Sequence, residues 1–290
     1  MEQKNLQKIP TRIFNSSGAG SAFVAQEIVA LIKAKQKKGE PCVLGLATGS
    51  SPTGVYAELI RLHKEGKVSF RNVHTFNLDE YYPMQPTTLQ SYVRFMREHL
   101  FDHIDIPKNN INIPDGTLDS KKVSAFCKAY DEKIEKLGGI DIQILGIGRT
   151  GHIGFNEPGS PENSPTRLVS LDQVTRIDAA SDFFGEEHVP RKAITMGVGT
   201  IMKAKRVIMM AWGEGKAGII QKAVEGPVTD QIPSTFLQGH PETLIVLDEA
   251  ASGKLTAVKT PWLVGPCKWD DKLIRRALVW LCQQNIVIDP

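Results

Sequence analysis

His152 and Glu157 stand five residues apart in "GIGRTGHIGFNEP" (residues 146–158), a stretch that also holds four glycines. Glycines at this density free the backbone to turn sharply and let a ligand approach it closely. An imidazole titrates near neutrality, so it can take up a proton and give it back. A neighbouring carboxylate can hold its tautomer, as the orienting member of a catalytic set does. Metal binding is the competing reading, but no second histidine is spaced to join these two residues. Proton transfer is the better-supported chemistry, and no metal is expected.

Three further loops carry reactive groups. "FNLDEYYP" (76–83) sets Asp79 and Glu80 at the end of an apolar run. A carboxyl desolvated beside a second acid has a raised pKa and can act as a general base. Taken alone, the pair also reads as a solvated turn before Pro83. "TGSSPTG" (48–54) offers Thr48, Gly49, Ser50 and Ser51 at the start of a helical pattern, where backbone N–H groups and hydroxyls can cradle a phosphate. It is not a P-loop, because no lysine follows its glycines, and it lacks the G-x-G-x-x-G pattern of a dinucleotide fingerprint. It reads equally as an ordinary turn with Ser50 or Ser51 as N-cap and Pro52 at the first helical position. "GEGKAG" (213–218) places Lys216 at another strand-to-helix turn, either as a surface lysine or as an ammonium reaching the same anion. Arg176, in "VTRIDAA", is a further cation that the pattern does not place.

The elements that must position these groups are short apolar runs alternating with amphipathic stretches. "CVLGLA" (42–47), "VHTFNL" (73–78), "IDIQILGI" (140–147), "RVIMMAW" (206–212) and "TLIVLD" (243–248) are continuous rather than alternating, as strands covered on both faces should be. Between them, "SAFVAQEIVALIKAKQKKGE" lines up Val24, Ile28, Leu31 and Ile32 on one helical face, and "TGVYAELIRLHKEG" and "AGIIQKAVEG" behave similarly. The alternation predicts a doubly wound, mostly parallel α/β sheet with helices on both faces. Ligands of such sheets bind beyond the carboxyl ends of the strands. The four chemical loops all follow strands, so they should converge on one site. Residues 267–290 read as a helical tail to the domain of residues 1–266, with Leu273, Ala277, Leu278 and Leu281 as its apolar face, and could begin a linker to a further domain.

Composition sets limits. The chain has 290 residues, 41% apolar and 23% charged, with a net charge of +3. Acidic and basic residues are mixed along it, and there is no basic tract to follow a phosphate backbone, so nucleic acid is not an expected partner. The four cysteines lack CxxC spacing, which argues against a disulfide framework or a structural zinc site. No run approaches ~18 apolar residues, and "MEQKNLQKIPTRIFNSS" lacks a signal-peptide core, so a cytoplasmic protein without membrane partners is expected.

Together "LGLATGSSPTGVYAEL", "FNLDEYYP", "SYVRFMREHLFDHIDIP", "GHIGFNEP", "TMGVGTIMKAKRVIMM" and "GKAGIIQKAVEGPV" resemble the glucosamine-6-phosphate deaminase family, from about residue 12 to about residue 265. The resemblance implies a single modified Rossmann-type domain without a metal or organic cofactor. It implies conversion of glucosamine 6-phosphate and water to fructose 6-phosphate and ammonia. His152 would assist ring opening, Asp79 would move a proton between C2 and C1, and Glu157 would orient His152. Thr48, Gly49, Ser50, Ser51, Lys216 and Arg176 would hold the phosphate. The family loop carries an aspartate two residues before the histidine, where this chain has Thr150, with Arg149 beside it. Ser160 and Arg167 match an allosteric site that binds N-acetylglucosamine 6-phosphate in hexameric members, although the lysine usual two residues further on is Val169 here. A homo-oligomer is thus implied by resemblance only. Thr150 keeps two other readings open: a related isomerase or lactonase acting on another sugar phosphate, and a sugar-phosphate-binding module without catalysis.

Overall fold

All five apolar runs are strands in the computed structural model, which describes residues 6–284. In chain order the strands are β1 (Thr11–Phe14), β2 (Cys42–Leu46), β3 (Val73–Asn77), β4 (Asp79–Tyr82), β5 (Ile111–Asn112), β6 (Ile142–Leu145), β7 (Arg167–Ser170), β8 (Lys192–Thr195), β9 (Val207–Ala211) and β10 (Thr243–Asp248). The helices are α1 (Ser17–Lys37), α2 (Ser50–Lys64), α3 (Tyr92–His99), α4 (Ser120–Lys136), α5 (Gln173–Ala179), α6 (Val198–Met202), α7 (Ala217–Glu225), α8 (Glu249–Ser252), α9 (Thr256–Lys259) and α10 (Asp271–Gln284).

Seven strands form one parallel sheet in the order β1-β10-β9-β6-β2-β3-β5. Successive strand residues point to opposite faces, and both faces are buried. Val43, Phe76, Leu145 and Met209 pack with Tyr130 and Ile134 of α4 and Ile220 and Val224 of α7. On the other side Leu44, Ile144, Ile208 and Val246 pack with Val24, Ile28 and Ile32 of α1 and Val55 and Leu59 of α2. Strand order reverses between β2 and β6, one winding running outward through β3 and β5 and the other through β9 and β10. That reversal opens a crevice at the carboxyl ends of the two strands. "TGSSP" follows β2, and "GRTGH" follows β6.

A second, antiparallel sheet of β4, β8 and β7 stands beside this crevice. Leu78 joins the two sheets: its N–H donates to Leu46 O at 2.9 Å, and its carbonyl accepts from Met196 N at 2.6 Å. The chain therefore leaves the parallel sheet just before Asp79.

Two local expectations are corrected. The N-cap of α2 is Gly49, at φ 85°, with Ser50 as first helical residue and Pro52 as third. Pro52 still falls in the first turn, where its missing N–H has no intrahelical partner to lose. In α10 only Leu273 and Ala277 of the expected apolar face are buried, whereas Leu278 is 56% and Leu281 49% exposed. At 100° per residue, positions 278 and 281 rotate away from the 273/277 stripe and align with the exposed Ile274. The end of the expected tail, residues 285–290, lies outside the described residues. Among the described residues no helix is long and apolar enough to cross a membrane.

Candidate active site

The crevice contains a cavity of about 210 Å³. Ala47, Thr48, Gly49, Ser50 and Ser51 line it from the β2–α2 turn, and Leu78 and Asp79 from the β3–β4 junction. Gly146, Ile147, Gly148, His152, Gly154 and Phe155 line it from the loop after β6, Lys216 from the turn before α7, and Tyr92 from the start of α3.

The β2–α2 turn presents bare donors. Helices α1, α3, α4 and α5 start from a Ser or Asp side chain that accepts a backbone N–H, whereas α2 starts from Gly49 with no side-chain cap. Its first N–H groups and the positive end of its dipole face the cavity, an arrangement suited to an anion. Trp212 Nε1 donates to Ser51 O at 2.9 Å and ties this turn to the end of β9. Lys216 reaches in from the neighbouring turn, its Nζ donating to Ile147 O at 2.8 Å. Burial lowers its pKa, and among nearby charges Asp178 raises it while Arg149 lowers it. Asp248, at the end of β10, accepts Gly213 N and Ala251 N and so fixes the turn that carries Lys216.

Asp79 is 6% exposed. Burial, and secondarily the neighbouring Glu80 carboxylate, push its carboxyl up to about 8. Glu80 is turned away from the cavity. Its carboxylate accepts from Ser91 Oγ (2.9 Å) and from the backbone N–H groups of Tyr81 (2.9 Å), Tyr92 (3.1 Å) and Val93 (3.2 Å). One carboxylate thus anchors the start of α3, while its neighbour stays undersolvated. Tyr92, set by that anchor, lines the cavity and packs its ring against Tyr81, the centroids 5.1 Å apart.

The loop after β6 wraps closely around these groups. A Cβ on Gly148 would come 2.0 Å from His152 Nε2, so only glycine allows the imidazole edge to lie against this cavity wall. A Cβ on Gly154 would come 3.3 Å from Asp79 Oδ2, which places the aspartate against the same loop. The other imidazole nitrogen faces two oxygens. Thr150 Oγ1 is 2.9 Å from His152 Nδ1, and Glu157 Oε2 is 3.2 Å from it. Oε2 is buried without any other polar partner among the described residues. A carboxylate only accepts, so Glu157 favours the Nδ1–H tautomer and leaves the Nε2 lone pair at the cavity edge. The threonine hydroxyl can serve either tautomer.

Of the residues singled out in the sequence, Thr48, Gly49, Ser50, Ser51, Asp79, His152 and Lys216 share this cavity, with Thr150 and Glu157 directly behind the imidazole. Arg176 is not on the cavity wall; its guanidinium pairs with Glu186 at 3.2 Å. Ser160 and Arg167 are together but off the wall. Arg167 donates to Ser160 Oγ at 3.1 Å and to Asn156 Oδ1 at 2.8 Å, and its burial lowers its pKa. Tyr92 and the anchoring role of Glu80 went unrecognised in the sequence. The available signal was the serine before "YVRFM", which marks a helix start within reach of a buried acid.

The chain has clear counterparts among known proteins. A model of the family described as glucosamine-6-phosphate isomerases/6-phosphogluconolactonase matches residues 16–246, and the chain belongs to that family. A deaminase-like protein of Bacteroides thetaiotaomicron is 50% identical over 278 residues; the alignment covers 96% of this chain but only 42% of that longer protein. The glucosamine-6-phosphate deaminase of Thermoanaerobacter pseudethanolicus is 46% identical over 230 residues, covering 79% of this chain and 90% of that one. A solved structure of a monomeric glucosamine-6-phosphate deaminase superposes with a TM-score of 0.81 at 37% identity, covering 85% of this chain and all of that one.

Proposed function

We propose that this chain converts glucosamine 6-phosphate and water into fructose 6-phosphate and ammonia. The observation that carries the reading is a buried carboxyl, Asp79, in the same cavity as an imidazole edge and an anion cradle. The bare N-terminus of α2, the Thr48, Ser50 and Ser51 hydroxyls and Lys216 receive the phosphate. This orients the sugar so that C1 and C2 lie deeper, between Asp79 and His152. His152 accepts the anomeric hydroxyl proton at Nε2 and returns it to the ring oxygen, which opens the pyranose. Ionised Asp79 takes the C2 proton while O1 gains one from water, giving an enolamine, and then delivers its proton to C1, which leaves an iminium at C2. Water adds to this iminium and releases one proton, balancing the one taken up at O1. The carbinolamine passes its hydroxyl proton to nitrogen as the C2–N bond breaks, giving the ketone and ammonia. Glu157 holds the imidazole tautomer through both transfers. Thr150 contributes a hydrogen bond but no negative charge, so the imidazolium is less stabilised than it would be beside a second carboxylate. Such a reaction belongs to amino-sugar catabolism in the cytoplasm.

The test is ammonia release from glucosamine 6-phosphate by the native protein against Asp79→Asn. Because Asp79 works ionised, kcat/KM should rise with pH towards an apparent pKa near 8. Native protein no faster than the variant would refute the reading. Thr150 and Arg149 favour one second reading, a related enzyme for non-amino sugar phosphates. Comparable rates with glucose 6-phosphate or a 6-phosphosugar lactone would support it.

A further inference from the structure

A phosphate monoester carries a charge between about −1.5 and −2 at neutral pH, and one ammonium, that of Lys216, faces it from the cavity wall. Arg176 lies off the cavity wall, with its guanidinium 3.2 Å from Glu186. The second charge has a candidate in the loop itself. Arg149 directly follows Gly148, which lines the cavity, and its side chain is 62% exposed. Its Nη2 lies 2.8 Å from Oδ1 of Asp178 on α5, itself 43% exposed. Lys216 Nζ donates to Ile147 O at 2.8 Å, two residues before Arg149, so the pair stands close to the anion end of the site. A solvent-exposed pair of this kind is weak and easily exchanged. A guanidinium also matches a phosphate better than a lone carboxylate oxygen, because its fork can donate two parallel hydrogen bonds.

We propose that Arg149 is a phosphate clamp: it leaves Asp178 when a phosphomonoester enters and closes over the group held by Lys216 and the start of α2. The clamp rests on the sugar-phosphate reading above and adds a residue specific to this loop sequence. Asp178 is the counterpart that parks the guanidinium while the site is empty and opposes the dianion until the exchange occurs.

The two members of the pair therefore have opposite effects, which a mere strut between the loop and α5 would not give. Inorganic phosphate binding to the whole chain, followed by 31P NMR titration, should weaken roughly tenfold in Arg149→Gln and tighten in Asp178→Asn. Arg149→Lys, which keeps the charge without the fork, should fall between native and Arg149→Gln. With glucosamine 6-phosphate, the loss in Arg149→Gln should appear in KM rather than kcat. Equal effects of the Arg149→Gln and Asp178→Asn changes, or none, would overturn the clamp even in an active deaminase. The expected phosphate pattern without ammonia release would support the clamp and refute the deaminase reading instead.

Discussion

Replacing Asp79 by asparagine should stabilise the protein, and increasingly so as the pH rises. The carboxyl is pushed up to about 8 in the fold by burial first and by the Glu80 carboxylate second. In the unfolded chain an aspartate ionises near pH 3.9. Below about pH 4 both states hold the proton, and the residue makes no pH-dependent difference. Between about pH 4 and pH 8 the unfolded chain releases the proton and the folded chain keeps it, so stability is lost progressively. Above about pH 8 the full cost is present, on the order of 5 kcal/mol at 1.36 kcal/mol per pKa unit. Asparagine cannot ionise and escapes this cost. Urea unfolding of native protein and Asp79→Asn at pH 5, 7 and 9 should show a stability difference that widens in favour of the variant. At pH 9 it would reach roughly 10 °C in Tm. All other titrating groups are common to the two proteins and cancel in the difference. A difference that is flat with pH, or that narrows towards pH 9, would refute the claim that Asp79 is held undersolvated. The same variant should release no ammonia, so it gains stability where it loses function, as a strained catalytic group should.

Thr150→Asp should raise kcat by about tenfold or more, since a carboxylate beside the catalytic histidine of a serine protease is worth roughly 10⁴ in turnover; unchanged turnover across pH 6–9 would mean that Glu157 alone suffices. Glu157→Gln should lower kcat about a hundredfold with little change in KM, because an amide can donate to Nδ1 and reverse the tautomer; a loss confined to KM would contradict the orienting role. In urea unfolding Glu80→Gln should destabilise the protein most at low pH, by about 2 kcal/mol, as the acceptor for three backbone donors and Ser91 is lost. The loss should shrink towards neutral pH, because burial raises the Glu80 pKa and the variant escapes the cost of ionising it. The same change should also move the rising limb of the kcat/KM profile to lower pH, since the carboxylate that helps raise the Asp79 pKa is gone.

The parallel sheet and the convergence of its loops were legible because strands buried on both faces leave unbroken apolar runs, as in Ile142–Leu145 and Val207–Ala211. The antiparallel sheet left no such trace. Arg167–Ser170 is half exposed along its length, and Lys192–Thr195 begins with an exposed lysine, so neither has a run or a clean alternation to read. That sheet matters for the site, since pairing Asp79 with Thr195 is what turns β4 out of the main sheet and sets the carboxyl against the His152 loop. The cations were harder still. In sequence Lys216 sits at a strand-to-helix turn and Arg176 has no place in the pattern, because a long flexible side chain reports nothing of where its charge ends. The fold turns the Lys216 ammonium to Ile147 O on the cavity wall and places the Arg176 guanidinium off that wall, beside Glu186.

Thr150 and Arg149 carry the same lesson one step further. At position 150 a negative charge expected behind the imidazole is replaced by a neutral hydroxyl, and at position 149 a cation stands with its guanidinium on Asp178. Relative to an aspartate, the threonine removes one unit of negative charge from the loop, which makes its surroundings less favourable to an imidazolium and more favourable to a bound dianion. On the proposed reading the two positions would shift the site in one direction, towards firmer retention of the phosphate and slower proton transfer at His152. Restoring the carboxylate at 150 should therefore raise kcat and KM together, and a gain in kcat with KM unchanged would show that the two positions act independently.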